Sequence, residues 1–370
     1  MNLACILLIN LDHTLIEGTG DSTDLPWSEP AKERSSRLEK VRVAAVQAAP
    51  VWMDRETTID KVEGLIATAA AEGAGLIVFP EAFVPGPPIW IDTKVPWTEP
   101  DEWHARLMDQ SVLVPSAATE RIGAAAATAN AYVVIGVEER DRQGGTIYCT
   151  VLYFDPDGSL LGKHRKLMPT GSERLVWGQG DGSDLQPHDT PFGRVGGLIC
   201  WENYMPLART YIYAQGVDIW VAPTLASGDG WVATMRHIAR EGRMWVLGVN
   251  PCTRFDELPD SFPRLDELGT YGENGEDGED GEDREDREWA DPGNTVIVSP
   301  NGDLVAGPLR HQEGILYADI DVGLARAERR FFDPVGHYAR PDVFRLIADV
   351  SPKPVVTEVT FAAPGDDAHI

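Results

Sequence analysis

VRVAAVQAAPVWMDRETTIDKVEGLIATAAAEGAGLIVFPE, residues 41–81, reads as strand, helix, strand. Val41 to Pro50 is an apolar run rich in β-branched residues that stops at a proline. Between Thr57 and Ala71 the apolar positions Ile59, Val62, Leu65, Ile66 and Ala69 recur at helical spacing. AGLIVFPE, from Ala74 to Glu81, is again a short apolar strand.

The same alternation continues downstream. The pattern predicts a helix near Val114 to Asn130, then strands AYVVIGVEER, TIYCTVLYF with the turn DPDG, and LLGKHRKL. A second half follows: strand RVGGLICWE, helix Leu207 to Gln215, strand DIWVAP, helix Trp231 to Trp245, strand VLGVNP and the hairpin TVIVSPNGDLVAG. Strands alternating with helices predict a layered α/β fold with buried sheets. The mixed spacing favours two packed sheets over a barrel.

The chain of 370 residues is long enough for one large core or two ordinary ones. Its 59 acidic against 32 basic residues give a formal charge of −27, which repels phosphate backbones and anionic lipid. Nucleic-acid and membrane-surface roles are therefore not expected. Cys5, Cys149, Cys200 and Cys252 show no paired spacing, so reduced thiols in a cytoplasmic protein are expected, with neither a zinc knot nor a disulfide framework. The opening MNLACILLINL lacks a basic flank and is too short to span a bilayer, and is not read as a signal peptide.

Residues 1–40 carry no sustained period and are expected to form a poorly ordered extension. Within 273–288, ENGEDGEDGEDREDRE holds ten acids and two arginines with no apolar face, an expected solvated insertion. Without its eight net negative charges the chain still carries −19.

Three strand ends carry chemistry. Cys200 closes RVGGLIC before WENYMP, where a buried strand breaks into a loop and then a helix, a placement that suits a nucleophile. Alone, such a cysteine is usually a small buried hydrophobe. Glu81 directly follows LIVFP, where burial would suit a carboxylate to take a proton. Lys166 ends GKHRKL beside Lys163, His164 and Arg165, a run that by itself reads as solvated. Together they offer a base, a charge stabiliser and a nucleophile.

FPEAFVPG (79–86), HRKLMPTGSERLVWGQGDG (164–182), ICWENYMPLAR (199–209) and GHYARPDVF (336–344) resemble the signature stretches of the nitrilase superfamily, specifically its true nitrilase branch. The resemblance runs from about Val41 to Arg345. It implies a four-layer α-β-β-α sandwich over 41–345, followed by a tail at 346–370, and a triad of Glu81, Lys166 and Cys200 supported by Glu173. CWEN and the stretch holding His337 are features associated with nitrilases more than with amidases or carbamoylases. The 1–40 extension and the acidic repeat have no counterpart in the family pattern.

A small nitrile is thus the expected substrate, hydrolysed to acid and ammonia through a covalent thioimidate and thioester on Cys200, with neither cofactor nor metal. The backbone N–H of Trp201 is the expected second donor to developing charge. Trp177 and Trp201, less so Trp90 and Trp97, are candidates to line the pocket, although tryptophans are commonly core filler. His237, Arg240 and Arg243 form a polar helical stripe better read as a solvated or ion-paired face. An amidase, carbamoylase or cyanide-hydrating enzyme with the same triad is the alternative within enzymes. A non-catalytic filament-forming assembly protein is the alternative outside them. The resemblance also implies a homodimer or larger homo-oligomer, with the helix after Cys200 at the interface.

Overall fold

Seven residues from Val41 to Gln47 form β1, and all but Arg42 are buried, so both faces of the strand are covered. Strands apolar on both faces need layers on both sides. The computed structural model describes residues 40–92, 102–259, 261–262, 288–354 and 356. Most of the extension at 1–40, nearly all of the acidic stretch at 273–288, Trp97 and most of the tail beyond 354 lie outside the described residues.

In chain order the strands and helices are β1, α1 (Arg55–Ala71), β2 (Leu76–Val78), α2 (Glu102–Gln110), α3 (Ala117–Ala129), β3 (Tyr132–Arg140), β4 (Ile147–Phe154), β5 (Leu160–Arg165), β6 (His188–Thr190) and β7 (Gly193–Gly197). They continue with α4 (Pro206–Ala214), β8 (Ile219–Pro223), α5 (Asp229–Gly242), β9 (Trp245–Val249), β10 (Thr253–Arg254), β11 (Trp289–Asp291), β12 (Gly293–Val298), β13 (Leu304–Arg310), β14 (Gly314–Ile320) and α6 (Val322–Glu328).

Among the described residues there are two six-stranded sheets, ordered β14-β1-β2-β3-β4-β5 and β13-β12-β9-β8-β7-β6. Each has a parallel centre, β1-β2-β3 in one and β7-β8-β9 in the other, flanked by antiparallel strands. Three apolar clusters define the layers. Val43, Ala45, Val78 and Val134 of the first sheet meet Val195, Val221 and Leu247 of the second. The outer face of the first sheet, with Ala44, Ile77 and Val133, packs on Ile59, Val62 and Ile66 of α1 and Ile122 of α3. The outer face of the second, with Trp220, Ala222 and Val246, packs on Ile212 of α4 and Met235 and Ile238 of α5. The architecture is the α-β-β-α sandwich expected from the sequence.

Local chemistry sets the boundaries. α1 starts at Arg55, two residues before the expected Thr57, because the Asp54 side chain accepts the Thr57 N–H at 3.0 Å as its cap. α3 starts only after the Ser116–Thr119 capping box and stops where Asn130 turns left-handed at φ 49°. The helix expected to reach Trp245 ends at Gly242, since Arg243 adopts φ 48° and Trp245 already belongs to β9. The strand expected through Glu202 ends at Gly197, and Cys200–Tyr204 form a 3-10 turn. Of the polar stripe on α5, His237 lies 3.6 Å from Glu241, and Arg243 lies 3.9 Å from Glu328.

Candidate active site

Glu81 lies beyond the carboxyl end of β2, where the Phe79 N–H still bonds the Val134 carbonyl at 2.8 Å before the chain turns through Ala82 at φ 48°. The turn lies directly on Gly136 of β3, where an added Cβ would stand 2.3 Å from the Pro80 oxygen and 2.5 Å from the Ala82 nitrogen. The Glu81 side chain is buried. Its Oε1 accepts from Lys166 Nζ at 2.7 Å and from the Cys149 thiol at 3.4 Å, and its Oε2 accepts the Leu225 N–H at 3.1 Å. That last bond reaches across from the second sheet.

Lys166 follows β5, and its backbone N–H bonds the Cys149 carbonyl at 2.8 Å. Its side chain has 0% exposure. The ammonium donates to Glu81 and, at 2.8 Å, to Glu173 Oε2, and lies 5.0 Å from the centre of the Trp177 ring. Burial alone would push this ammonium down, but Glu81, Cys200 and Glu173 surround it and hold its pKa well above the usual value. Glu173 sits in the 3-10 turn Gly171–Leu175 and also accepts the Thr170 N–H at 2.5 Å. Burial raises its carboxyl to about 7, against the pull of Lys166 and with the push of Glu81.

Cys200 occupies the left-handed region at φ 50°, a conformation that costs a side chain about 1–3 kcal/mol and persists only when its surroundings enforce it. The enforcement is visible. Asn203 Nδ2 donates to the Leu198 and Cys200 carbonyls at 2.9 and 2.8 Å and is itself held by Trp220 Nε1 at 2.8 Å. Glu202 turns back to accept the Ile199 N–H at 2.8 Å. β7 and β8 are parallel with Gly197 opposite Val221, so three residues further on Cys200 lies beside Thr224. The Thr224 side chain pulls the thiol's pKa down, and its oxygen accepts the Ala226 N–H at 2.9 Å. Burial, then Glu81, push the thiol up to about 12 despite Lys166.

Glu81, Lys166, Glu173 and Cys200 are thus gathered at one mouth of the sandwich, two sheets contributing. The tryptophans part company. Trp177 is buried and donates Nε1–H to Glu138 at 2.6 Å, so its ring walls in Lys166. Trp201 is 49% exposed, and its ring packs edge-on to Tyr204. Trp90 is fully buried among Trp103 and Phe262, as core.

Several groups at the site escape a reading of the sequence. Cys149 is a second buried thiol on the Glu81 carboxylate, burial and Glu81 raising it well above the ordinary value. Glu138 is a fully buried carboxyl, pushed far up by that burial. Thr224 and Glu202 complete the set. Alternation in TIYCTVLYF turns Cys149 to the inter-sheet face, and CWEN places Glu202 beside the nucleophile. Those are the only signals the chain offers.

Comparison with known proteins bears on the family and the fold. The family model described as carbon-nitrogen hydrolase matches residues 42–330. The chain belongs to the carbon–nitrogen hydrolase family. It is 47% identical over 327 residues to an aliphatic nitrilase of Sinorhizobium fredii, covering 86% of this chain and 99% of that protein. It is 43% identical over 321 residues to a bifunctional nitrilase/nitrile hydratase of Nicotiana tabacum, covering 85% of this chain and 87% of that one. These relatives place this carbon–nitrogen hydrolase in the true nitrilase branch. Among solved structures, a Helicobacter pylori carbon-nitrogen hydrolase superposes with a TM-score of 0.65 at 20% identity, covering 82% of this chain and 97% of that one. Saccharomyces cerevisiae Nit3, a member of branch 10 of the nitrilase superfamily, gives 0.62 at 20%, covering 84% and 99%. At that identity the likeness speaks for the fold.

Proposed function

We propose that the protein hydrolyses a small organic nitrile to its carboxylic acid and ammonia, with Cys200 as nucleophile, Glu81 as general base and acid, Lys166 as charge stabiliser and Glu173 as its support. The observation that carries the reading is the buried cluster in which one ammonium bridges Glu81 and Glu173 beside Cys200, in a chain whose relatives are named nitrilases.

The Cys200 proton passes to Glu81 as sulfur bonds to the nitrile carbon, and the released π pair takes up a proton to give a thioimidate. Lys166 and the Trp201 N–H face the charge as it develops. Water adds to the thioimidate, the carbon–nitrogen bond breaks and ammonia leaves. A second water then breaks the carbon–sulfur bond of the thioester, giving the acid and the free thiol. If the first tetrahedral intermediate breaks its carbon–sulfur bond instead, the product is the amide, the outcome that the name of the tobacco relative includes.

An amide carbonyl meets the same thiolate, so an amidase is the second reading. Ammonia release from benzonitrile, phenylacetonitrile, a short dinitrile and cyanide, each beside its matching amide where one exists, separates them. Nitrile-dependent release absent in Cys200→Ala is expected. Release from amides alone would overturn the nitrilase reading, and silence throughout would favour an assembly role.

The domain is proposed to span 41–345. The free buried thiols Cys149, Cys200 and Cys252 support a reducing, cytoplasmic setting. Among the described residues no helix is long and apolar enough to cross a membrane. Exposed Trp201, Tyr204 and Leu207, on the turn and helix after Cys200, support self-association there into a dimer or larger. A monomer alone in sedimentation at micromolar concentration would remove that.

A further inference from the structure

Lys166 and Cys200 come from different sheets, β5 in one and β7 in the other, and no β-ladder joins those strands. Their separation must be set by something else. The carboxylate of Glu202 lies between the two segments, with 0% side-chain exposure. Its Oε1 accepts the Leu167 N–H at 2.6 Å, the amide immediately after Lys166. Its Oε2 accepts the Ile199 N–H at 2.8 Å, the amide immediately before Cys200. His164 Nε2, two residues ahead of Lys166, lies 3.3 and 3.0 Å from the two oxygens.

We propose that Glu202 is a positioning residue that fixes Lys166 against Cys200 by fastening the backbone beside each to one buried carboxylate. The inference rests on the nitrilase reading for what the pair does, and on geometry alone for what holds it. A carboxyl group is the right chemistry here, because each of its two oxygens accepts a backbone N–H. An amide of the same shape fails, because whichever way it turns, its NH2 meets either the Leu167 or the Ile199 N–H, donor against donor. A residue that merely filled space would tolerate that exchange in shape. A strut would not.

The test is Glu202→Gln, read by steady-state ammonia release and by the rate of iodoacetamide alkylation at Cys200 at one fixed pH, with Cys200→Ala for background and circular dichroism for folding. The expected result is a folded variant with kcat at least 100-fold lower and KM within threefold. The alkylation rate at that pH should fall by about tenfold, because the thiolate loses its fixed distance to the Lys166 ammonium. His164→Leu, which removes one contact and leaves both amides bonded, should slow alkylation in the same sense by less. It serves if Glu202→Gln does not fold. An unchanged alkylation rate in the folded variants, with any activity loss following the folded fraction, would overturn the proposal. Alkylation requires no nitrile, so failure of the wild-type protein on every nitrile would count against the substrate reading and leave this result standing.

Discussion

Replacing Lys166 with Met removes one buried positive charge from between two carboxylates and keeps much of the side-chain volume. The ammonium stands 2.7 Å from Glu81 and 2.8 Å from Glu173, with no exposure of its own. Removing one member of a buried pair costs about 3–5 kcal/mol, and here a single ammonium serves two partners, which points to the upper part of that range. At roughly 2 °C per kcal/mol for a protein of this size, Tm should fall by about 6–10 °C. The loss must depend on pH in a definite sense. Glu173 already titrates at about 7, above an unfolded glutamate, and the substitution raises it further. A carboxyl with a raised folded pKa costs nothing while both states are protonated; the penalty begins as the unfolded glutamate ionises above about pH 4.5, grows toward the folded value and is full above it. Differential scanning fluorimetry of wild type and variant from pH 5 to 9 should show the gap opening as pH rises. Adding Glu173→Gln should return part of the lost Tm at pH 8.5 with no return of activity. A gap under about 2 °C at pH 8.5, or one equal at all pH values, would refute the electrostatic account of the cluster.

Thr224→Val keeps shape and removes the hydroxyl beside the Cys200 sulfur; a hydrogen bond to a charged group is worth about 1.5–3 kcal/mol, so kcat/KM should fall roughly 10- to 100-fold, with Thr224→Ser close to wild type. Gly136→Ala forces a Cβ to within 2.3 Å of the Pro80 oxygen, where backbone rather than a flexible side chain must yield, so the Glu81 turn should shift and activity should drop about 100-fold while circular dichroism stays near native. Trp177→Phe keeps a ring over Lys166 but takes away the 2.6 Å donor of Glu138, which should lower the denaturant midpoint by an amount equivalent to about 1–3 kcal/mol.

Much of the fold is legible in the chain because the period of apolar residues and the layer they occupy are the same fact seen twice. Ile59, Val62 and Ile66 announce α1 by spacing and then bury on the first sheet. Strand ends are equally plain, which is why Glu81, Lys166 and Cys200 stand out. What the chain conceals is which ends meet. Nothing near Thr224 signals that β8 runs parallel to β7 with Val221 opposite Gly197, and only that register sets its hydroxyl beside the nucleophile. Glu202 likewise carries no signal of its role, because its partners His164 and Leu167 lie in and just after β5 of the other sheet. Arg243 ends α5 by a left-handed turn that residue type alone does not foretell, and so the helix was expected to run on through Trp245.

β1 pairs along its whole length with β14, Val41 opposite Ile320 and Gln47 opposite Gly314. The first strand of the domain therefore waits on the ribosome for nearly the last. At about 5–20 residues per second, that wait is on the order of ten seconds to a minute. Throughout it, a strand apolar on both faces keeps one edge open to any other nascent or misfolded chain. Chaperone supply and synthesis rate during that window should govern how much soluble protein a cell makes, with the stability of the finished sandwich entering only afterwards.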